Sequence, residues 1–432
     1  MANLDLAINN ARFLVTVDSA RNLFENYSIG ISGKQIVEIS KVPLSAKNTY
    51  DASDKLIAPG LINTHTHLAM TLLRGWAEGV DLQGFLEKVW AAEGAIMNYE
   101  TAELGTKLGA LEALLGGTTT ALDMYLFPDG THSGAVAAGL RHVCGPIFFD
   151  FPGLDGLEWS DRISFAKNWP MKLAEIGGPE IPKYLMPHAT YTCSPEHLSE
   201  IAKLAEEIDS NIHIHISENL KENSDVADRY QKTPTQVLHD SGVLSRHNIF
   251  GHGVHLSDSD IKLMKTKAAV AHCPGSNLKL ASGIADVTKY RSAGLTVGLG
   301  TDGCSSSNDL DMWPVMRLAG YLVAQSQGPE NSSAEEIFRM ATIEGARAIG
   351  VEKLVGSIEL GKQADLIAID LNKPHLIPVH DVYAQLVYAA GRSDVCDVWV
   401  DGEQVINNRE STRLNFSELR REVMSKVSQL NG

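Results

Sequence analysis

Apolar and polar positions alternate along the chain in a way that predicts buried strands separated by helices. Between Ala58 and Asp302, short apolar runs rich in β-branched residues are each followed by a polar or glycine-rich break and then by a helical pattern. The candidate strands are KLIAPGLINTH, GTTTALDMY, HVCGPIFFD, KYLMPHA, NIHIHIS, NIFGHGV, AAVAHCP and LTVGLGTD. Near-continuous apolar strands between amphipathic helices are typical of a parallel sheet covered by helices. Eight such strands predict an α/β fold, a (β/α)8 barrel over residues 58–355.

The two ends of the chain carry a different pattern. Residues 1–57 and 356–408 contain short alternating strands separated by glycine and asparagine turns, a texture that predicts β-structure. We expect one small β-sandwich domain, built from both ends and lying beside the barrel. Residues 409–432 are expected to form a C-terminal helical segment. In SSAEEIFRMATIEGARAIG, Ser333 and Glu336 have capping-box spacing before an apolar stripe, which predicts a helix.

Composition narrows the class of protein. The net charge of −16, without a concentrated basic stripe, argues against nucleic-acid binding. No apolar run reaches the roughly 18 residues of a membrane span, and the N-terminus does not resemble a signal peptide. The five cysteines form no CxxC pair, which suits a reducing compartment and excludes a cysteine-based zinc knot. We therefore expect a cytoplasmic protein with no membrane or nucleic-acid partner.

Ionisable side chains end the predicted barrel strands with unusual regularity. Active sites of (β/α)8 barrels lie at the carboxyl ends of the strands, and burying unpaired ionisable groups there costs free energy. The residues at these positions are His65, His67, His188, His213, His215, Glu218, His252, His272 and Asp302. Their recurrence predicts a functional site at this end of the barrel.

Several of these residues have the chemistry of a catalytic metal centre. His65 and His67 are two residues apart, so they project to the same face of a strand. With a histidine of the fifth strand and Asp302, they would give nitrogen and oxygen ligands to one divalent ion and leave a position open for water. We assign that histidine to His215, because Glu218 follows it in the turn and could act as proton shuttle.

Other interpretations of individual residues stay open at this point. His213 alternates with His215, so one of the two faces the barrel interior and the other a neighbouring layer. His272 can equally be a hydrogen-bonded core histidine. Asp302 could be only a helix cap, and Glu93, from its spacing alone, reads as a carboxylate on a helix surface.

Five motifs carry a family resemblance. PGLINTHTHLAMTLLRG, HIHISE, GHGVHL, HCPGSNLKL and LGTDGCSSSNDLDMWPVMR resemble, in order and spacing, the amidohydrolase superfamily, and within it the 5′-methylthioadenosine/S-adenosylhomocysteine deaminases and their chlorohydrolase relatives. The resemblance covers essentially the whole chain. It implies one metal ion, bound by His65, His67, His215 and Asp302. Zn²⁺ is the expected ion, with Fe²⁺ or Mn²⁺ as alternatives, because such ligands accept several metals.

The resemblance also implies roles for other residues. Glu218 would take a proton from the attacking water and deliver it to the ring nitrogen. His252 would orient the attacking hydroxide or stabilise the developing charge, and Asp302 would help to protonate the departing ammonia. Glu93, in FLEKVWAAE, matches a glutamate that binds ribose hydroxyls, and His188 matches a histidine on the purine and ribose side.

The expected activity is hydrolytic deamination of an adenine nucleoside such as 5′-methylthioadenosine or adenosine. Two departures from the family pattern concern the substrate: the chain reads HATYT after the fourth strand, and the loop after the third strand has no arginine before Arg162. The second departure disfavours the charged tail of S-adenosylhomocysteine. Alternatives are a deaminase or dehalogenase of a free heterocycle, of the guanine, pterin or triazine type, and a catalytically silent binding protein. Oligomerisation stays open.

Overall fold

The computed structural model describes residues 4–264 and 268–430, and its centre is a closed barrel of parallel strands. The first three residues and the last two, which belong to the predicted terminal segments, lie outside this range. The barrel strands are Leu61–His67, Thr118–Asp123, Arg141–Cys144 with Ile147–Phe148, Tyr184–Pro187, Asn211–Ile216, Asn248–His252, Ala268–His272, and Thr296–Leu299 with Asp302–Gly303. Asp302 pairs in parallel with Thr66 and closes the ring. The predicted (β/α)8 barrel is confirmed.

Helices connect the barrel strands and cover them. The α-helices of this layer are Leu82–Ile96, Tyr99–Leu115, Pro128–Ala138, Trp159–Ile176, Pro195–Glu207, Leu220–Tyr230, Pro234–Asp240, Asp258–Met264, Pro274–Lys279, Val287–Ser292, Met312–Gln327, Ala334–Met340 and Ile343–Ile349. Short 3₁₀ turns are Leu68–Leu73, Val243–Ser245, Pro329–Asn331, Pro374–Leu376, Arg392–Asp394 and Ser428–Leu430. Val382–Ala384 is α-helical, Gln385–Ala389 is a π-helix, and Phe416–Val427 is the C-terminal α-helix. None of the helices described combines the length and the apolar character that a membrane span requires.

The helix predicted after Ser333 is two helices. The Ser333 side chain accepts from the Glu336 backbone N–H at 3.4 Å, as a cap should. The first helix ends at Met340 and the second begins at Ile343. The carbonyl of Ala341 accepts a hydrogen bond from the Ile62 N–H at 2.8 Å, and this bond to the first barrel strand replaces a bond within the helix.

Strands from both ends of the chain share the second structural unit, a pair of sheets. The seven-stranded sheet runs in the order Glu410–Ser411, Glu403–Asn407, Val395–Val400, Leu366–Asp370, Lys55–Pro59, Phe13–Val15 and Leu23–Phe24. The four-stranded sheet runs in the order Gln35–Ser40, Tyr27–Ser32, Leu6–Ala11 and Asn48–Asp51. Buried apolar residues of the two sheets, among them Ile29, Ile57 and Trp399, form a core separate from that of the barrel.

The predicted first barrel strand is also divided. Lys55–Pro59 pairs with Leu366–Asp370 in the seven-stranded sheet, whereas Leu61–His67 belongs to the barrel. Gly60 lies between them, and a Cβ at this position would lie 2.1 Å from the Oγ1 of Thr119. Only glycine lets the chain pass so close to the neighbouring strand.

Candidate active site

The predicted site residues come together at one cavity at the carboxyl ends of the barrel strands. The cavity opens to solvent, and its empty volume including the open part is about 1100 Å³. The predicted residues that line it are His67, Glu93, His188, His215, Glu218, His252 and Asp302. His65 lies against this set, fully buried, and its ring centre is 4.8 Å from those of His67 and His215. The barrel thus gathers eight residues that are far apart in the sequence.

Three non-glycine residues at these strand ends adopt left-handed backbone conformations. Ser217 has a φ of 47°, His252 of 70° and Asp302 of 60°. Such conformations cost about 1–3 kcal/mol each and persist where the surrounding structure enforces them, often at functional sites. The backbone is therefore strained at the places where it presents side chains to the cavity.

Hydrogen bonds fix the orientation of the first two histidines. The Nδ1 of His213 lies 2.9 Å from the carbonyl oxygen of Ile249 and must donate to it, so the Nε2 of His213 accepts from the Nδ1 of His65 at 2.7 Å. The Nδ1 of His67 donates to the carbonyl oxygen of Met124 at 2.5 Å. Each neutral ring carries one N–H, so His65 and His67 both present an Nε2 lone pair to the site.

Two further histidines are oriented in the same way. The Nδ1 of His215 donates to the carbonyl oxygen of His188 at 2.8 Å, and the Nδ1 of His252 donates to the Oδ1 of Asn277 at 2.9 Å. In metal-binding histidines, a hydrogen bond of this kind from the nitrogen that does not bind the metal fixes the tautomer of the ring. The Nε2 of His252 lies 3.8 Å from the Oε2 of Glu218, so four Nε2 lone pairs converge on one region.

The arrangement around Asp302 fits a divalent cation. Its Oδ1 lies 3.1 Å from the Nε2 of His67 and 3.6 Å from that of His65, and the Nε2 of His65 has no hydrogen-bond partner. Lone pairs and a carboxylate oxygen at these distances repel unless a positive charge lies between them. Burial lowers the pKa of His67, but Asp302 raises it to about 9 overall. A metal ion supplies the same positive charge to all of these atoms.

Two serines bind the second carboxylate oxygen of Asp302. The hydroxyls of Ser276 and Ser306 donate to the Oδ2 of Asp302 at 2.6 and 2.7 Å. Burial alone would raise the pKa of Asp302, but the neighbouring histidines, His67 first, hold it well below its usual range. The carboxylate is therefore ionised and fixed in orientation.

Glu218 lies in the turn that follows the fifth barrel strand, at the wall of the cavity. It is buried, and burial raises its pKa, which moves a carboxylate toward the range useful for proton transfer near neutral pH. Its backbone N–H donates to the Oε2 of Glu222 at 2.9 Å, and the Oε1 of Glu222 accepts from the hydroxyl of Thr190 at 3.3 Å. Glu222, which the sequence did not single out, anchors the turn that carries Glu218.

Replacing Glu222 by alanine is expected to lower kcat by about 10–100-fold, because misplacing a catalytic group by about 1 Å can cost as much. Glu222→Gln keeps an acceptor oxygen for the Glu218 amide and should recover most of the rate. The measurement is kcat for ammonia release, with metal content in parallel. Asp225→Ala, on the exposed side of the same helix, is the matched control and should be neutral. Full activity of Glu222→Ala would rule out this positioning role.

Glu93 reaches the cavity from the helix Leu82–Ile96 and is not a surface carboxylate. It is buried, and its Oε1 accepts from the hydroxyl of Tyr125 at 2.5 Å. Burial raises the pKa of Glu93 to about 7, although the hydrogen bond from Tyr125 acts in the other direction. A buried carboxylate with one oxygen already oriented is well placed to accept hydrogen bonds from substrate hydroxyls.

His188 and the aromatic residues around it form another wall. The ring of His188 lies 5.3 Å from that of Phe149 and 6.4 Å from that of Trp90. Burial lowers its pKa to about 3, with a smaller contribution from His67. The ring is therefore neutral and suited to contact an uncharged heterocycle or sugar.

The two histidines left open by the sequence differ in position. His213 is the partner that orients His65, as described above. His272 is buried with an Nδ1 that has no hydrogen-bond partner, and it lies outside the set of described residues that line the cavity. His215 lines the cavity, whereas His213 is not among the described residues that line it, and the assignment of His215 as a metal ligand stays a prediction.

Sequence reasoning missed the residues that support the site from behind. They are Tyr125, Glu222, Ser276, Asn277 and Ser306. Ser276 and Asn277 belong to the motif HCPGSN, and Ser306 belongs to DGCSSS. The only available signal was this adjacency to motif residues, because no spacing rule connects a serine to a distant aspartate.

Fold and site together define a (β/α)8 barrel with a cluster of buried side chains able to hold a metal ion at the carboxyl ends of its strands. The model of the amidohydrolase family matches residues 56–405. The chain belongs to the amidohydrolase family, and the resemblance seen in the motifs is confirmed.

Curated and solved relatives are similar over almost the full length. The chain is 40% identical over 392 residues to 5-methylthioadenosine/S-adenosylhomocysteine deaminase of Moorella thermoacetica, which covers 88% of this chain and 89% of the relative. It is 37% identical to 5′-deoxyadenosine deaminase of Methanosphaera stadtmanae, which covers 90% of this chain and 91% of the relative. An adenosine deaminase from Xanthomonas campestris, solved with bound zinc, superposes with a TM-score of 0.95 at 32% identity over 99% of both chains.

Proposed function

We propose that this protein is a metal-dependent aminohydrolase that deaminates adenine nucleosides, releasing ammonia and the corresponding inosine analogue. The substrates expected are 5′-methylthioadenosine, 5′-deoxyadenosine and adenosine. The observation that carries this proposal is the buried carboxylate of Glu93 on the wall of the same cavity that holds Glu218, the histidines and Asp302. The names of the relatives support adenine nucleoside deamination.

The metal ligands in this proposal are His65, His67, His215 and Asp302, and the expected ion is Zn²⁺. Imidazole nitrogens and carboxylate oxygens are ligand types that zinc binds in catalytic sites. When bound, the ion supplies the Lewis acidity that makes a hydroxide nucleophile available near neutral pH.

Side chains of the protein then transfer the protons of the reaction. Glu218 accepts the proton of the attacking water and delivers it to the ring nitrogen beside the reacting carbon, so that the ring takes up the electron pair as the C–O bond forms. His252, whose Nε2 is a free acceptor, holds the O–H of the nucleophile. Asp302 helps to transfer the second proton to the amino group, and the C–N bond breaks with release of ammonia.

Glu93 is expected to bind the ribose. A carboxylate accepts hydrogen bonds from two vicinal hydroxyls, and a site built for such bonds discriminates strongly against analogues that lack them. A ring-only substrate would add no hydrogen bond to the one that the buried carboxylate accepts from Tyr125, and so would leave its remaining acceptor capacity unused, which is unfavourable. This is why the proposal favours a nucleoside over a free base.

The outer part of the cavity favours an uncharged 5′ substituent. The exposed residues Trp90, Phe151 and Leu154 line it, and the described lining residues include neither lysine nor arginine. Arg162 is buried, and its guanidinium binds both oxygens of Asp155 at 2.7 and 2.8 Å. Because the charge of Arg162 is paired with Asp155, it is not available to bind the carboxylate of S-adenosylhomocysteine. We therefore expect S-adenosylhomocysteine to be a poorer substrate than 5′-methylthioadenosine.

The experiment that tests the proposal is ammonia release, followed together with loss of the adenine absorbance, from metal-replete protein. The panel contains adenosine, 5′-methylthioadenosine, 5′-deoxyadenosine, S-adenosylhomocysteine, adenine, guanine and a chlorotriazine. Turnover of the uncharged nucleosides above the free bases is expected. Activity on a free base or the triazine alone would be consistent with metal-dependent hydrolysis by the barrel but would contradict the proposal that the substrate is a nucleoside.

Replacing Glu93 by glutamine should lower kcat/KM for nucleosides by about 10–100-fold, since a hydrogen bond to a charged group contributes roughly 1.5–3 kcal/mol. Any slow turnover of adenine, which has no ribose, should not change. Glu87→Gln, an exposed position on the same helix, is the matched control. An equal loss on adenine and on adenosine would show that Glu93 does not act through the ribose.

A further inference from the structure

A second cluster of buried metal-ligand side chains lies outside the active-site cavity. His132 is on the helix Pro128–Ala138, and His142 and Cys144 are on the barrel strand Arg141–Cys144. Residues two apart on a strand project to the same face, and here that face meets His132. All three side chains are buried, and one ligand atom of each lies within 4.8 Å of those of the other two.

The hydrogen bonds of the two histidines leave one contact without a proton. The Nε2 of His142 lies 2.9 Å from the Oδ2 of Asp123, and the Nε2 of His132 lies 3.2 Å from the carbonyl oxygen of Gly177. Both oxygens accept, so both Nε2 atoms donate. Each neutral imidazole has only one N–H, so the two Nδ1 atoms, which are 3.2 Å apart, face each other with lone pairs. This contact needs a positive charge between the two atoms.

We propose that His132, His142 and Cys144 form a second metal site, which binds Zn²⁺ through two nitrogens and one sulfur. Two nitrogens bonded to zinc at about 2.0–2.1 Å in a tetrahedron are separated by roughly 3.3 Å, close to the observed 3.2 Å between the Nδ1 atoms. On binding, the Cys144 thiol loses its proton to solvent and the sulfur–zinc bond forms. The donated Nε2–H bonds are the supporting contacts that zinc-binding histidines make to carboxylates and backbone carbonyls.

A protonated His142 is the competing source of positive charge, because it would donate from both of its nitrogens. That arrangement does not involve Cys144, whose sulfur lies in the cluster and makes a long contact, 3.9 Å, to the carbonyl oxygen of Pro128. A metal ion, in contrast, would bind all three side chains.

The site connects to the active centre through one carboxylate. The Oδ1 of Asp123 accepts the backbone N–H of Leu68 at 2.8 Å, directly after His67. Its Oδ2 binds His142. A metal held by this helix and strand therefore lies beside the barrel edge that carries His67, outside the described residues that line the cavity.

Metal content is the first test. Protein produced with zinc should contain two zinc ions per chain, Cys144→Ser should contain one and keep deaminase activity, and Cys193→Ser should contain two. Cys193 is the matched control because it is also a buried free thiol and lies outside the cluster. His132→Gln should repeat the result of Cys144→Ser, and circular dichroism shows whether each variant is folded.

Cobalt substitution tests the identity of the ligands. The proposed active-site ligands contain no sulfur, so a thiolate-to-cobalt charge-transfer band in the near ultraviolet reports only the second site. The band is expected in the wild type and in Cys193→Ser and absent in Cys144→Ser. Absence of the band, or two metals retained by Cys144→Ser, would each overturn the proposal. One metal per chain with the band present would instead contradict the active-site metal of the proposed function.

Discussion

Replacing Glu218 by glutamine is expected to lower kcat for adenosine and 5′-methylthioadenosine by about 10²–10⁴-fold, the range in which general acid–base catalysis contributes, while the metal content stays unchanged. Glutamine has nearly the same shape and can keep the contact toward His252, where the Oε2 of Glu218 lies 3.8 Å from the Nε2. It cannot accept the proton of the attacking water. The substitution thus removes the proton transfer and little else.

The measurement is kcat for ammonia release, with zinc per chain determined on the same preparation. Glu222→Gln is the matched control, because Glu222 is buried four residues away, binds the backbone of Glu218 and is not among the described residues that line the cavity. It should keep most of the activity. Full activity of Glu218→Gln would refute the assignment of Glu218, and loss of zinc would show that the carboxylate acts through the metal.

The parts of the site that the sequence predicts are those fixed by backbone periodicity. His65 and His67 share a strand face because the side-chain repeat of a strand is two residues. Asp302 and Glu218 follow apolar strands, and the barrel brings the ends of such strands to one rim. These rules place a residue at the rim whatever its neighbours are, and so they need no knowledge of tertiary contacts.

The parts that the sequence does not predict depend on contacts between distant segments. Glu93 lies on a helix whose spacing is compatible with a surface position, and only the family resemblance pointed to the cavity. Ser306 and Asn277 act through single hydrogen bonds to Asp302 and His252. Such bonds follow from side-chain orientation after folding, and they leave no periodic pattern in the chain.

Two predicted boundaries of strands and helices were wrong, again because of contacts between distant segments. The run KLIAPGLINTH reads as one strand, but Gly60 allows the chain to leave one sheet and enter another beside Thr119. The stretch after Ser333 reads as one helix, but the carbonyl of Ala341 pairs with Ile62. In both places a partner from elsewhere in the fold outweighs the local preference. The domain boundaries drawn from the sequence stay predictions.

Replacing Asp302 by asparagine is expected to remove the active-site metal and to reduce deamination to background. The Oδ1 of Asp302 lies within 3.6 Å of the Nε2 atoms of His65 and His67, and its charge balances the cation they would share. Asparagine preserves the size of the side chain but brings no negative charge, and a neutral amide oxygen is a weaker zinc ligand. Zinc per chain and kcat should therefore fall together.

Ser306→Ala separates the charge of Asp302 from its orientation. This variant removes one of the two hydroxyls that bind the Oδ2 of Asp302 and keeps the carboxylate. Loss of such a supporting contact costs about 10–100-fold in metal affinity or activity, so added zinc should restore Ser306→Ala but not Asp302→Asn. Counting zinc in a Cys144→Ser background leaves only the active-site ion in the measurement. Retention of zinc with lost turnover in Asp302→Asn would instead assign Asp302 to proton transfer alone.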